Sequence, residues 1–188
     1  SAMRDSNLIP FIIKLLQMRD PYANGHSDHV CVLACLLGKE FGLSAEQLAN
    51  LEFAAKIHDI GKVAISDYVL NKPGRYTETE YLTIQQHTLL GSKLIETLGL
   101  DPIIHLTILN HHENYDGTGY PHKIKGDAIP IEARILRIAD TYDALTSPRG
   151  YRPAYMPEQA TAIMKHEEGF YDPKLLELFF QLKPENIK

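Results

Sequence analysis

Five segments of this 188-residue chain each set a histidine or an aspartate where a helical repeat calls for an apolar side chain. Leu48, Leu51, Ala55 and His58 repeat at helical spacing, which puts His58 on the inward stripe and Asp59 about 100° round from it. His26 opens a stripe continued by Val30, Leu33, Leu37 and Phe41, and His87 lies among Ile84, Gly91, Leu94 and Leu98. Ile104, Ile108 and His111 end in the pair His111-His112, and Leu136 stands one turn before Asp140, with Asp143 close by. A buried imidazole or carboxylate needs a partner. The chain is thus constrained to a fold that gathers these groups.

The surrounding pattern is helical throughout. Asp5 to Met18 carries a stripe of Leu8, Ile12, Leu15 and Leu16, with Pro10 in its first turns. Asp20 to Gly25 breaks it, and the next helix runs from about His26 to Phe41. Ser44 with Gln47, and Thr77 with Glu80, are capping-box signatures for two further helices. Gly61 reads as a helix stop, and Val63 to Tyr76, with Asn71, Pro73 and Gly74, as a connecting loop. Asp101-Pro102 starts another helix, and Glu113 to Pro121 is turn chemistry. Helices over Ile131 to Leu145 and Glu158 to His166 flank a loop from Thr146 to Pro157, and Asp172-Pro173 opens the last, with Leu175, Leu176, Phe179 and Leu182 inward. With no strand pattern, the expectation is an all-α helical bundle spanning residues 4–188, without repeats. Residues 1–3, Ser-Ala-Met, resemble a tag remnant.

Nineteen Lys and Arg against 24 Asp and Glu give a net charge of -5, which excludes a global basic field for a nucleic-acid polymer. A small anionic substrate would need local cations. Cys31 and Cys35, four apart in a helical pattern, form no zinc knuckle or disulfide framework and read as small core residues. The absence of a membrane-length apolar stretch or a secretory signal gives a cytoplasmic setting as the default.

So many imidazoles cannot satisfy one another without a shared charge. A divalent transition-metal centre resolves this, since neutral imidazole and carboxylate are its ligands; the alternative is a polar core network. Seven candidates (His26, His58, Asp59, His87, His111, His112 and Asp140) exceed what one ion uses. The adjacent pairs suggest two ions, with Asp59 bridging and His111 and His112 serving different ones. Paired ions are a recurring device for phosphoester hydrolysis. Lys62, just beyond Asp59, is placed to neutralise charge growing on a phosphoryl group. His29, His105, His122 and His166 lie off these faces.

His58-Asp59-Ile60-Gly61-Lys62, Asn71-Lys72-Pro73-Gly74, His87 and the run His111-His112-Glu113-Asn114-Tyr115-Asp116-Gly117-Thr118-Gly119-Tyr120-Pro121 carry a family resemblance. With Ala139-Asp140 and the stretch from Ala144 to Arg152, they make the chain similar to the HD-GYP family. That family comprises bacterial cyclic di-GMP phosphodiesterases within the HD metal-dependent phosphohydrolases. The resemblance implies an HD-type bundle and makes the seven residues above the metal ligands, with iron or manganese as the ions. Lys62 becomes the catalytic lysine beside Asp59. Tyr120, Arg149 and Arg152 would contact the dinucleotide, and Gly117 and Gly119 would let the loop run close to it.

A receiver or sensory domain upstream in the native chain is also implied, and a homodimer is a further expectation. Two positions depart from the pattern: Tyr22 replaces a glutamate that holds a third ion in some members, and His29 replaces an arginine. Two metals rather than three are therefore expected. The activity implied is hydrolysis of cyclic di-GMP to linear pGpG, with GMP as a further product. Cyclic GMP-AMP hydrolysis, or binding without turnover, stand as alternatives.

Overall fold

The computed structural model describes residues 2–20, 23 and 25–187, with side chains described from Asn7 onward. The expectation attached to Tyr22 falls outside them. Helices α1 (Ala2–Arg19), α2 (His26–Phe41), α3 (Ala45–Ile57), α4 (Asp67–Leu70) and α5 (Glu78–Glu96) are followed by α6 (Pro102–Asn110), α7 (Ile131–Thr146), α8 (Pro157–His166) and α9 (Pro173–Gln181). No strand occurs among the described residues; the one β-type contact is a bridge between Arg149 and Arg152. The all-α expectation is borne out.

Local chemistry sets the helix ends. The Ser44 hydroxyl accepts from the Gln47 N–H while the Gln47 side chain accepts from the Ser44 N–H, and Thr77 with Glu80 repeats the box. Such a cap contributes about 1 kcal/mol. Asp101 and Asp172 cap α6 and α9, each followed by a proline in the first turn.

Two apolar clusters form the core. One joins α2, α7, α8 and α9 through residues such as Leu33, Leu136, Tyr142 and Phe179. The other joins the end of α3 to α5 and α6 through Ile57, Ile95 and Ile108. The histidines and aspartates come from the elements along the seam between them.

Four expectations need correction. The helix carrying His58 stops at Ile57, not Gly61, and Ile60–Ala64 continues as a 3₁₀ turn. Gly61 lies in that turn because its backbone is pressed on α5. The stretch read as one loop, Val63 to Tyr76, holds the end of that turn and the short α4. The buried face of α5 is His87, Thr88, Gly91, Ser92 and Ile95, not the Leu94 and Leu98 stripe. These small residues admit the 3₁₀ turn and α6, leaving the two leucines 46% and 39% exposed. Phe41, at the end of α2, is likewise exposed.

Candidate metal centre

Donor atoms from five segments converge in two groups, each with its atoms within 4.8 Å of one another: His26, His58 and Asp140, and Asp59, His87, His111 and His112. Asp59 lies between them, whereas His111 and His112, expected to serve different ions, fall together in the second group because their adjacent rings pack 4.2 Å apart on the same side of the centre. Asp59 Oδ2 is 3.4 Å from His58 Nε2 and 3.8 Å from His26 Nε2, while Oδ1 is 3.5 Å from His87 Nε2 and 3.9 Å from His111 Nε2. Asp140 Oδ1 approaches His26 Nε2 at 3.0 Å and His58 Nε2 at 3.3 Å. All five histidine rings are tied in one chain, with His26 and His58 centroids 5.4 Å apart, His58 and His111 5.2 Å, His87 and His112 5.2 Å, and His111 and His112 4.2 Å.

The tautomers are set by the backbone. His58, His87 and His111 each place Nδ1 2.6 Å from the carbonyl oxygen three residues earlier, of Ala55, Ile84 and Ile108. An Nδ1–H donating there leaves the Nε2 lone pair as an acceptor. Those three Nε2 atoms are buried and have no hydrogen-bond partner among the described residues. A buried unsatisfied group costs about 1–3 kcal/mol, and three such acceptors, His58 in one donor group and His87 and His111 in the other, are donors of the kind a divalent transition metal takes. The cluster can bind metal; its residues fit the ion.

The electrostatics agree for the group of His87, His111 and His112, where burial also lowers His87, whereas burial of His58 is outweighed by Asp59 and Asp140, which raise it. Burial pulls His111 down to about 3, with the His58 charge adding to the effect, and burial with the His111 charge depresses His112 well below the usual imidazole range. Neutral imidazoles result. Burial opposes ionisation of Asp59 and Asp140, yet Lys62 and His58 hold the first, and His58 and His26 the second, well below the carboxylate range. Burial also opposes a charge on His26, but bonds to Asp140 and Asp143 raise it to about 10.

Asp143, named in the sequence only as a neighbour, has a definite place here. One oxygen pairs with His26 Nδ1 at 2.5 Å and the other with His29 Nδ1. His29 thus occupies an outer position, joined to the centre through a carboxylate. The signal for Asp143 was its i+3 spacing from Asp140 on α7, which puts both on one face.

Lys62 Nζ is 3.2 Å from Asp59 Oδ2 and 3.9 Å from Asp20. Its backbone is anchored by Arg19, whose guanidinium donates to the carbonyls of Lys62, Val63 and Ile65 and pairs with Asp67. Lys62 opens into a cleft of about 750 Å³ whose walls include Arg19, Asp20, Lys72, Arg149 and Arg152.

The other sequence candidates sit variously around this cleft. Arg149 lines it. The Arg152 guanidinium donates to the carbonyls of Ala144 and Pro153, 3.1 Å each, and so closes the C-terminal end of α7 while lining the cleft. Tyr120 stacks on His112, ring centroids 5.0 Å apart and planes 18° apart. A Cβ on Gly119 would meet the Asn114 nitrogen at 2.2 Å and the His112 oxygen at 2.5 Å, so what crowds this glycine is the loop's own backbone. Gly117 has φ 86° and serves the turn itself.

An all-helical domain whose seam presents imidazoles and carboxylates for divalent metal, under a cation-lined cleft, is the class that fold and site define. The HD domain family profile matches residues 10–175, and the chain belongs to that family. The expected HD resemblance is thus borne out. The cyclic di-GMP phosphodiesterase response regulator RpfG of Xanthomonas campestris pv. campestris is 36% identical over 93% of this chain and 47% of its own length. The 3′3′-cGAMP-specific phosphodiesterase 3 of Vibrio cholerae is 36% identical over 90% of this chain and 36% of its own length. In fold, the chain is similar to the crystal structure of the cyclic GMP-AMP-specific phosphodiesterase V-cGAP3 of V. cholerae, with TM-score 0.71 and 24% identity over 97% of this chain and 49% of that one. The chain spans about half the length, or less, of these relatives.

Proposed function

We propose that the domain is a phosphodiesterase that hydrolyses cyclic di-GMP to linear pGpG, with two divalent ions, iron or manganese, held by His26, His58 and Asp140 on one side and His87, His111 and His112 on the other. Asp59 would serve both. The single observation that carries this reading is the Asp59 carboxylate set between two donor groups with Lys62 3.2 Å away at the mouth of a cationic cleft. When bound, the ions supply Lewis-acid charge and make water a stronger nucleophile at neutral pH.

The chain's own residues do the rest. Asp59 and Asp140 provide the negative charge that holds cations in an otherwise apolar seam. Lys62 stays protonated: burial works against its charge, but Asp59 and Asp20 raise its pKa. It can therefore neutralise a phosphoryl oxygen as charge grows in the transition state. Arg149, with Arg152 beside it, meets the phosphates by forked hydrogen bonds. Tyr120, fixed against His112, bounds the centre on the side of the glycine loop.

The two curated relatives differ in the substrate that their names give, so hydrolysis of 3′3′ cyclic GMP-AMP is the second reading. We further infer a receiver or sensory domain as a companion of this region; the first relative is named a response regulator. Anaerobic reconstitution with ferrous iron or manganese, followed by chromatography of the products from each dinucleotide, tests the reading. Linear pGpG is expected. Binding without any linear product under either metal would make the domain a non-catalytic receptor.

A further inference from the structure

Beside the cationic cleft lies a second one of about 690 Å³, walled by Tyr76, Tyr81, Tyr151 and Tyr155 with Arg75. The two share Gly74, Tyr76, Tyr151 and Arg152, so a ligand with its phosphate in the first can extend into the second. Its rings are not core residues: Tyr76, Tyr81 and Tyr151 are 38%, 49% and 71% exposed. Nor are they loosely placed. The Tyr155 N–H donates to the Leu145 carbonyl at 2.9 Å, and the Arg152 guanidinium lies 4.5 Å over the Tyr155 ring. Tyr81 meets Tyr120 edge to face at 6.5 Å, and Tyr120 stacks on the donor His112, so aromatic surface runs from the metal centre into this cleft.

Rings flanking a cation-lined groove form the arrangement that holds single nucleotides, with bases stacked on the rings and phosphates against the cations. Arg75, at the rim, has no carboxylate partner among the described residues. A guanidinium fork matches O6 and N7 of guanine. We propose that the tyrosine cleft is a stacking subsite for one purine base of the substrate, with Arg75 selecting guanine. This rests on the cyclic dinucleotide reading above.

The test compares metal-loaded wild type, Tyr81→Leu, Tyr81→Phe and Arg75→Ala on cyclic di-GMP, 3′3′ cyclic GMP-AMP and cyclic di-AMP. Tyr81→Leu raises KM for cyclic di-GMP about ten-fold, as loss of one stacked base requires, with kcat within about two-fold. Tyr81→Phe keeps the wild-type KM, and Arg75→Ala narrows the preference for guanine-containing substrates over cyclic di-AMP. An unchanged KM in Tyr81→Leu, or a fall in kcat at unchanged KM, overturns the subsite while leaving the phosphodiesterase reading intact. No turnover of any cyclic dinucleotide by wild type overturns both.

Discussion

A β-carbon on Gly61 would lie 1.8 Å from the carbonyl oxygen of His87 and 2.7 Å from the backbone nitrogen of Gly91. The 3₁₀ turn that bears Lys62 and follows Asp59 is therefore seated backbone to backbone on α5, with Gly91 the matching small residue across the contact. This spacing keeps Asp59 Oδ1 3.5 Å from His87 Nε2.

Gly61→Ala forces turn and helix apart, because the obstructing atoms are backbone and cannot rotate away. Overpacking of this kind costs about 3 kcal/mol or more. The expected result is a fall of roughly 6–12 °C in melting temperature for a chain of this length, together with loss of bound metal. Calorimetry with elemental analysis checks both, and a variant with wild-type melting and metal content would show that the contact yields.

Asp143 fixes the His26 ring through Nδ1 without belonging to either donor group. Asp143→Asn keeps the shape and removes the charge. Loss of such an outer carboxylate weakens metal affinity about 10–100-fold. Competition against a chelator, monitored by metal retained, should show the weakening with little change in helix content.

Lys62→Met retains the length of the side chain and its packing while removing the charge beside Asp59. If Lys62 neutralises charge in the transition state, kcat falls about 10²–10³-fold and the metal content is retained. A large rise in KM at unchanged kcat would instead assign it to ground-state binding of substrate.

The metal-free domain has opposing pH dependences. His111 is depressed to about 3 and His87 is also lowered, both by burial first, so the unfolded chain binds more protons than the folded one below the ordinary value of 6.5. Their contribution is present above 6.5 and is lost as pH falls toward about 3. His26 runs the other way: raised to about 10 by Asp140 and Asp143 against burial, it stabilises fully below 6.5 and loses its effect as pH rises through about 10. Melting temperature of chelator-treated protein should peak near pH 6.5 and fall on both sides. A monotonic profile would rule out this balance.

The donor residues were legible one at a time because an imidazole or carboxylate on an apolar stripe violates the helical pattern locally. His58, His87 and His111 are each buried as the repeat requires, and the capping boxes at Ser44 and Thr77 form where the residues specify them. Other features had no local signature. Gly61 looked like a helix stop because a glycine after a helix usually ends it, whereas what demands it here is α5, a segment 26 residues away in the chain at His87. The tyrosine cleft, and the pairing of Asp143 with His26 and His29, depend on which faces meet.

By itself, then, the sequence determined the helices other than α4, the caps at Ser44, Thr77, Asp101 and Asp172, and the residue types on offer to a metal, since each follows from neighbours within a turn or two of chain. The tertiary structure alone decided that the two oxygens of Asp59 face different donor groups, that Arg152 closes α7 while lining the cleft, and that three exposed tyrosines and the half-buried Tyr155 share one concavity. Periodicity says which side of a helix turns inward. Only packing across the seam between the two apolar clusters says what it meets there.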